Sequence, residues 1–389
     1  TSTSTSTSAT FSHTSSSERL TPSSALNRNS TRVTTSTSTG LLSGKQQRSY
    51  AALPTPPESY PRIMITGALG QIGTELGARL RHIYGRDNVL ATDVRKPFGS
   101  LSSDGPFAYA DVSRYRTLER LVVEHRIDWV VHLSGILSAT GEKKPQLALN
   151  VNVDGVRNVI ELARVHKLRV FAPSSIAVFG PETPKDMTPD ETIMRPTTVY
   201  GATKVLLELL GNYYHKIHGV DFRSIRYPGI ISAETMPGGG TTDYAVEVFH
   251  DVLNSKDHHY TCWLEKDTML PMMHMNDCLD ATVALLQADS STLSQRIYNV
   301  AGVSFTPEQL FDSIRKEIPD LSIDYKIDPV RQSIANSWPR SLNDERARAD
   351  WGWKASYDIN DIVRAMFTRL RQKQQEAPVV KRISPLLSD

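Results

Sequence analysis

Cysteine is nearly absent: Cys262 and Cys278 are the only two in 389 residues, and no metal-ligand spacing surrounds them. Neither a disulfide framework nor a zinc site is implied, and a reducing interior compartment fits. Long apolar runs are missing too. No stretch of about 18 apolar residues occurs, which removes a membrane span from consideration. Charge of one sign is equally scarce, with 44 Lys and Arg against 42 Asp and Glu. What excess exists lies in residues 1–60, where Arg19, Arg28, Arg32, Lys45 and Arg48 face only Glu18 and Glu58. Residues 61–389 therefore hold 39 basic and 40 acidic residues, a balance that argues against a nucleic-acid surface. The expected partners are small molecules, with no nucleic acid and no membrane.

The first 60 residues, opening TSTSTSTSAT, are dominated by Ser and Thr and bury too little apolar surface to order themselves. Being Ser-rich, Arg-bearing and acid-poor, they predict a mitochondrial transit segment, with a plain disordered tail on a cytoplasmic protein as the alternative. Pro54, Pro56 and Pro57 punctuate the approach to a folded region starting near residue 61. From there short apolar runs alternate with helical periods: 62–66, then a helix to about 84; 89–92; a helix over 114–125; 129–133; a long helix through Val165; 170–173; a helix over 200–217; and 222–227. Strands apolar on both faces, alternating with helices, predict an α/β fold with a doubly wound parallel sheet. The expected organisation is a Rossmann domain over 61–230, a smaller C-terminal substrate-binding lobe over 231–375 interleaved with the core, and a tail over 376–389.

The strand-like Arg62-Ile-Met-Ile-Thr66 runs into Gly67-Ala-Leu-Gly70-Gln-Ile-Gly73 and then a helical pattern. Glycines at such a junction let the backbone turn tightly beside a pyrophosphate, whose charge rests on the helix N-terminus. Twenty residues past Gly73, Asp93 ends the second strand, where a carboxylate accepts both ribose hydroxyls and repels a 2′-phosphate. The spacing predicts NAD rather than NADP, although Arg95 and Lys96 lie close by. The bland alternatives are an ordinary strand-to-helix turn and a strand-end cap.

Tyr200 and Lys204 stand four apart in Val-Tyr-Gly-Ala-Thr-Lys, so a helix presents both on one face. A phenol of ordinary pKa near 10 is a poor base, and an adjacent ammonium together with an oxidised nicotinamide would acidify it. Tyr200 is then expected to take a proton from a substrate alcohol. Ser175, at the carboxyl end of a predicted strand in Pro173-Ser174-Ser175-Ile-Ala-Val-Phe-Gly180, is expected to orient the reacting oxygen. Singly, a Tyr/Lys pair is surface packing and a Ser-Ser pair a helix cap; their conjunction with a nucleotide turn points to catalysis.

Gly67xxGly70xxGly73, Tyr200xxxLys204 and a serine twenty-five residues before the tyrosine resemble the extended short-chain dehydrogenase/reductase family over about residues 61–370. The resemblance implies cofactor contacts from Gly67, Leu69, Gly70, Gln71, Ile72 and Gly73, from Asp93, from Asp111 and Val112 beside adenine, from Leu133 and Gly135, from Asn152, and from Tyr200, Lys204 and Tyr227. Asp111 as a helix cap and Asn152 as a buried amide bonded to backbone are the competing readings. Five phrases, at 173–180, 192–201, 226–232, 238–245 and 337–342, are similar to the branch of the family that oxidises the 3-hydroxyl of L-threonine. That likeness implies substrate contacts from Ser138, Ser174, Ser175, Tyr200, Thr242 and Asp243, with Thr242 and Asp243 alternatively starting a helix. It also implies a homodimer and functional coupling to a 2-amino-3-oxobutyrate CoA ligase. Two other readings stay open: an NDP-sugar epimerase or dehydratase, which needs a wide cleft lined by basic residues, and a non-catalytic NAD-sensing module.

Overall fold

A computed structural model describes residues 60–97, 104–236 and 238–376; the expected leader and most of the expected tail lie outside them. The first strand, β1 (Ile63–Thr66), is buried along its whole length, and its alternation builds two cores at once. Ile63 and Ile65 join one with Leu76 and Leu80 of helix α1 (Gln71–Tyr84), whereas Met64 enters the other with Leu118 and Leu121. Strands β2 (Val89–Asp93), β3 (Phe107–Tyr109) and β4 (Trp129–His132) follow, with helix α2 (Tyr115–His125) between the last two. Then come α3 (Ser138–Lys143), α4 (Pro145–Leu149), α5 (Gly155–His166), β5 (Arg169–Phe171), β6 (Ser174–Ser175), α6 (Val199–His218) and β7 (Asp221–Tyr227).

The main sheet runs β11-β7-β5-β4-β1-β2-β3, with β6 alongside β7 and β11 (Ile297–Asn299) returning from the C-terminal part. Its pairings are parallel. Helices on both faces and a reversal of order beside β1 make it the expected doubly wound sheet, which places ligands outside the carboxyl ends of the strands at that reversal. The C-terminal part adds β8 (Gly229–Ile231), α7 (Tyr244–Asn254), β9 (His259–Cys262), β10 (Leu270–His274), α8 (Met275–Gln287), β12 (Val303–Phe305) and β13 (Ser322–Tyr325). These supply a three-stranded sheet, β12-β10-β8, and a β13-β9 pair. A third core, including Tyr244, Phe249, Phe305, Phe311 and Phe367, lies under them.

Two local readings differ from expectation. The short β3, three residues long, was not anticipated, because its burial is partial and it pairs only with β2. The expected long helix ending near Val165 runs unbroken from Pro145 to His166 but is not regular: a π turn over Asn150–Asp154 joins α4 to α5. Gly155 follows it at a point where a Cβ would stand 2.8 Å from the Val112 side chain. Such a widened turn inserts one extra residue into the helical ladder, and here it carries Asn152.

Candidate active site

The turn after β1 needs glycine twice. Gly67 has φ +68°, and a Cβ there would lie 2.7 Å from the Ser134 backbone nitrogen; one on Gly73 would lie 2.5 Å from the Gly67 carbonyl. Neither contact is tolerable, so only hydrogen at both Cα atoms lets α1 start this close to the strand ends. Gly70 caps α1 without any side-chain hydrogen bond, and no acid occupies the first turn, leaving the helix's first amides available to an anion. The turn is tied to β2, since Leu69 N donates to Asp93 Oδ2 at 3.0 Å. Asp93 is 5% exposed, and Arg95 donates to it through backbone and guanidinium. Burial pushes the Asp93 carboxyl up, but the Arg95 and Leu69 hydrogen bonds outweigh it and hold it below the usual range.

Helix α6 begins where Thr198 accepts from Gly201 N at 3.0 Å. A Cβ on Gly201 would sit 2.2 Å from the Ala177 carbonyl, so the first turn packs directly on the short turn after β6. That contact faces Tyr200 towards Ser175, whose hydroxyl bonds the phenol and also accepts from Ala177 N at 3.2 Å. The cap reading and the catalytic reading of Ser175 thus describe the same residue. Lys204 Nζ donates to the Pro173 carbonyl at 2.6 Å and lies 5.6 Å from the centre of the Tyr200 ring.

Burial adds to the electrostatics of the pair an effect that the sequence does not show. Burial pushes Tyr200 up to about 12, with only the Ser175 hydrogen bond pulling it down. Burial likewise brings Lys204 down to about 8, against an upward pull from Glu208. Desolvation thus opposes the charged form of both partners and works against their proximity.

One cavity of about 260 Å³ gathers Gly67, Gly70, Gln71, Ile72, Gly73, Leu133, Gly135, Ser138, Ser174, Ser175, Tyr200, Lys204, Tyr227, Thr242 and Asp243. Leu69, Asp93, Asp111, Val112 and Asn152 are not among its walls. Asp111 accepts from the Ser113 backbone and hydroxyl, and the Val112 carbonyl accepts from Asn158. Asn152 bonds both backbone groups of Ile136 and the Thr203 hydroxyl, so its amide fixes the loop after Gly135. Ser174 donates to Glu208 at 2.5 Å, and Glu208 also pairs with buried Arg226. The Tyr227 hydroxyl points away, to Thr282. Asp243, at the start of α7, makes no cap bond; it accepts from Gly239 N at 2.7 Å and Gly240 N at 2.6 Å, and burial raises its pKa.

Leu137, Pro173, Pro228, Gly229, Ile230, Gly240, Thr241 and Trp338 complete the lining. Trp338 had no assigned role from sequence. Lys185 anchors it from outside, its ammonium donating to the carbonyls of Ser337 at 2.7 Å and Trp338 at 3.2 Å. Lys204 is the only Lys or Arg among the described lining residues.

These residues fit a dinucleotide: a glycine turn no Cβ could enter, free helix amides, an acid at the end of β2 and a Tyr/Lys pair at the far end of the same cavity. The model of the NAD dependent epimerase/dehydratase family matches residues 63–301. The chain is 48% identical over 305 residues to mitochondrial L-threonine 3-dehydrogenase of Bos taurus, covering 78% of this chain and 81% of that one. Among solved structures, L-threonine dehydrogenase from Phytophthora infestans superposes with TM-score 0.77 at 52% identity, over 80% of this chain and 99% of that one. The holo form of a GalE-like L-threonine dehydrogenase from Cupriavidus necator gives TM-score 0.77 at 48% identity, over 80% and 100%.

Proposed function

The chain belongs to the NAD dependent epimerase/dehydratase family, and from that premise we propose that it oxidises the 3-hydroxyl of L-threonine to L-2-amino-3-oxobutyrate with NAD. The observation carrying the reading is the cavity itself. It joins the glycine turn to Ser175, Tyr200 and Lys204 and ends at Thr242, Asp243 and Trp338. A sugar nucleotide would need cationic side chains for its diphosphate beyond the cofactor's own, whereas Lys204 is the one lining cation described.

NAD, when bound, accepts the hydride that leaves Cβ of the substrate. Gly67 to Gly73 and the start of α1 would hold its pyrophosphate, Asp93 one ribose, and Lys204 with Tyr200 the other, beside Tyr227, Pro228 and Gly229. Ser175 hydrogen-bonds the substrate oxygen and keeps it against the Tyr200 hydroxyl. Tyr200 takes the hydroxyl proton as the carbonyl forms. Asp243 faces the substrate ammonium, and Ser138 and Thr242 offer hydroxyls to its carboxylate.

Three wider assignments belong to the same proposal. A homodimer is supported by an exposed apolar stripe on α6, where Leu209, Tyr213 and Ile217 are 58%, 52% and 63% exposed at four-residue spacing. Mitochondrial location is supported by the leader's composition and by the mitochondrial relative. Because a 3-oxo acid loses carbon dioxide readily, prompt use of the product by a CoA ligase also fits. The test is NADH formation by the purified chain with L-threonine beside UDP-sugars. Turnover with L-threonine alone is expected; turnover with a UDP-sugar alone, or NAD binding without oxidation of any alcohol, would overturn the proposal.

A further inference from the structure

Behind Lys204, on the side away from the cleft, the structure encloses a second cavity of about 10 Å³, walled in part by His132, Ser134, Asn152, Thr203 and Lys204. That is room for one water-sized sphere, and a buried water needs two to four polar partners. His132, the last residue of β4, is 3% exposed. Its Nδ1 is bonded to Thr66 Oγ1 at 2.8 Å, but its buried Nε2 has no partner. A buried ring nitrogen left unbonded is destabilising, so the polar cavity beside it calls for an occupant.

We propose that one water molecule bridges Lys204 Nζ to His132 Nε2, making His132 a positioning residue that holds the lysine in its charged form from behind. The ammonium has three N–H donors. One reaches the Pro173 carbonyl, one faces Tyr200 and the cleft, and the third donates to the water. The water donates in turn to His132 Nε2 and to the Ser134 or Thr203 hydroxyl. This order requires the proton of His132 on Nδ1, donated to Thr66, and an uncharged ring. Burial, reinforced by the Lys204 charge, keeps the ring neutral by bringing its pKa down to about 3. The titratable groups described as facing Lys204 are Tyr200 and Glu208 on α6 and His132 on β4. Glu208 is already held by Arg226 of β7 and by Ser174 of β6, and the Asn152 amide by Ile136 and Thr203. Among the described side chains that wall the cavity, His132 Nε2 is the acceptor left without a partner.

The inference rests on the oxidoreductase reading for its kinetic test, and a crystal structure of the unmodified protein tests it without that reading. Density for one water within hydrogen-bond distance of both nitrogens is expected; a dry cavity, or an Nε2 turned to another partner, overturns it. In kinetics, His132→Leu removes the acceptor and fills the space. The active pair is the form with one proton shared between Tyr200 and Lys204, so kcat/KM should rise with pH and level off where Lys204 discharges. In His132→Leu that levelling is expected about one unit lower, which makes kcat/KM about tenfold lower at pH 9 and unchanged at pH 6. His132→Gln, whose Oε1 can accept from the water, restores the profile. A loss equal at every pH, or no change at any pH, overturns the proposal. Should His132→Leu fold poorly, the Gln variant and the density decide. A chain that oxidises no threonine yet shows the water fails the function and keeps the site.

Discussion

Replacing Lys204 by methionine separates two roles the lysine could play, a charge beside the phenol and a tether for the ribose. Its Nζ lies 5.6 Å from the Tyr200 ring centre; at an effective dielectric of about 20, the ammonium stabilises a phenolate there by ~3 kcal/mol, or about two pKa units. Burial sets Tyr200 at about 12, and a charged lysine beside it makes the phenolate about 100-fold more accessible. The lysine itself discharges near 8. Phenolate beside ammonium carries as many protons as phenol beside amine, so its population climbs with pH until about 8 and is level above. Without the lysine the phenolate climbs tenfold per pH unit towards about 12. The bound nicotinamide charge lowers both profiles together. Lys204→Met is therefore expected to cut kcat/KM about 100-fold at pH 7, with the gap closing about tenfold per unit above pH 8. The assay is NADH formation at saturating NAD from pH 6 to 10. A ratio constant across that range would show a tether only and refute the electrostatic argument.

Gly73→Ala forces a Cβ to within 2.5 Å of the Gly67 carbonyl; NAD affinity measured by calorimetry should fall more than tenfold, and an unchanged affinity would mean the turn is not the pyrophosphate seat. Asp93→Ala should raise the KM for NAD well above its effect on saturated rate, by loss of ribose hydrogen bonds, so equal kinetics in the two proteins count against the assignment. Arg226→Met leaves Glu208, 1% exposed, without its cation; unfolding in urea should show a loss of about 3–5 kcal/mol, and a loss under 1 kcal/mol would mean the pair adds nothing.

What was legible in the sequence is what depends on spacing along the chain. The alternation of apolar runs reported the parallel sheet, because strands buried on both faces leave no polar register, as in Ile63-Met64-Ile65. The glycine turn and the Tyr200/Lys204 pair each lie within one strand-helix junction or one helical turn, so their geometry follows from local structure. Contacts closed by the fold were not legible. Trp338 reaches the cavity because Lys185, 153 residues away, holds its carbonyl. Ser174 is drawn to Glu208 and Arg226 behind the wall. Asn152 bonds its own loop, and Asp243 turns back to Gly239 and Gly240 instead of capping α7. The effect that opposes an acidified phenol escaped notice for the same reason: sequence shows which charges are neighbours, while burial, which raises Tyr200 and lowers Lys204, comes from the packing of α6 on β6. His132 escaped notice because a lone histidine at a strand end has no partner at any fixed spacing.

Whether the Tyr200 hydroxyl is the base that takes the substrate proton is decided by Tyr200→Phe, compared with the unmodified chain for threonine turnover and for NAD affinity. Turnover is expected to fall at least about 100-fold, with the NAD dissociation constant within a few-fold of its original value. Turnover close to that of the unmodified chain would contradict it.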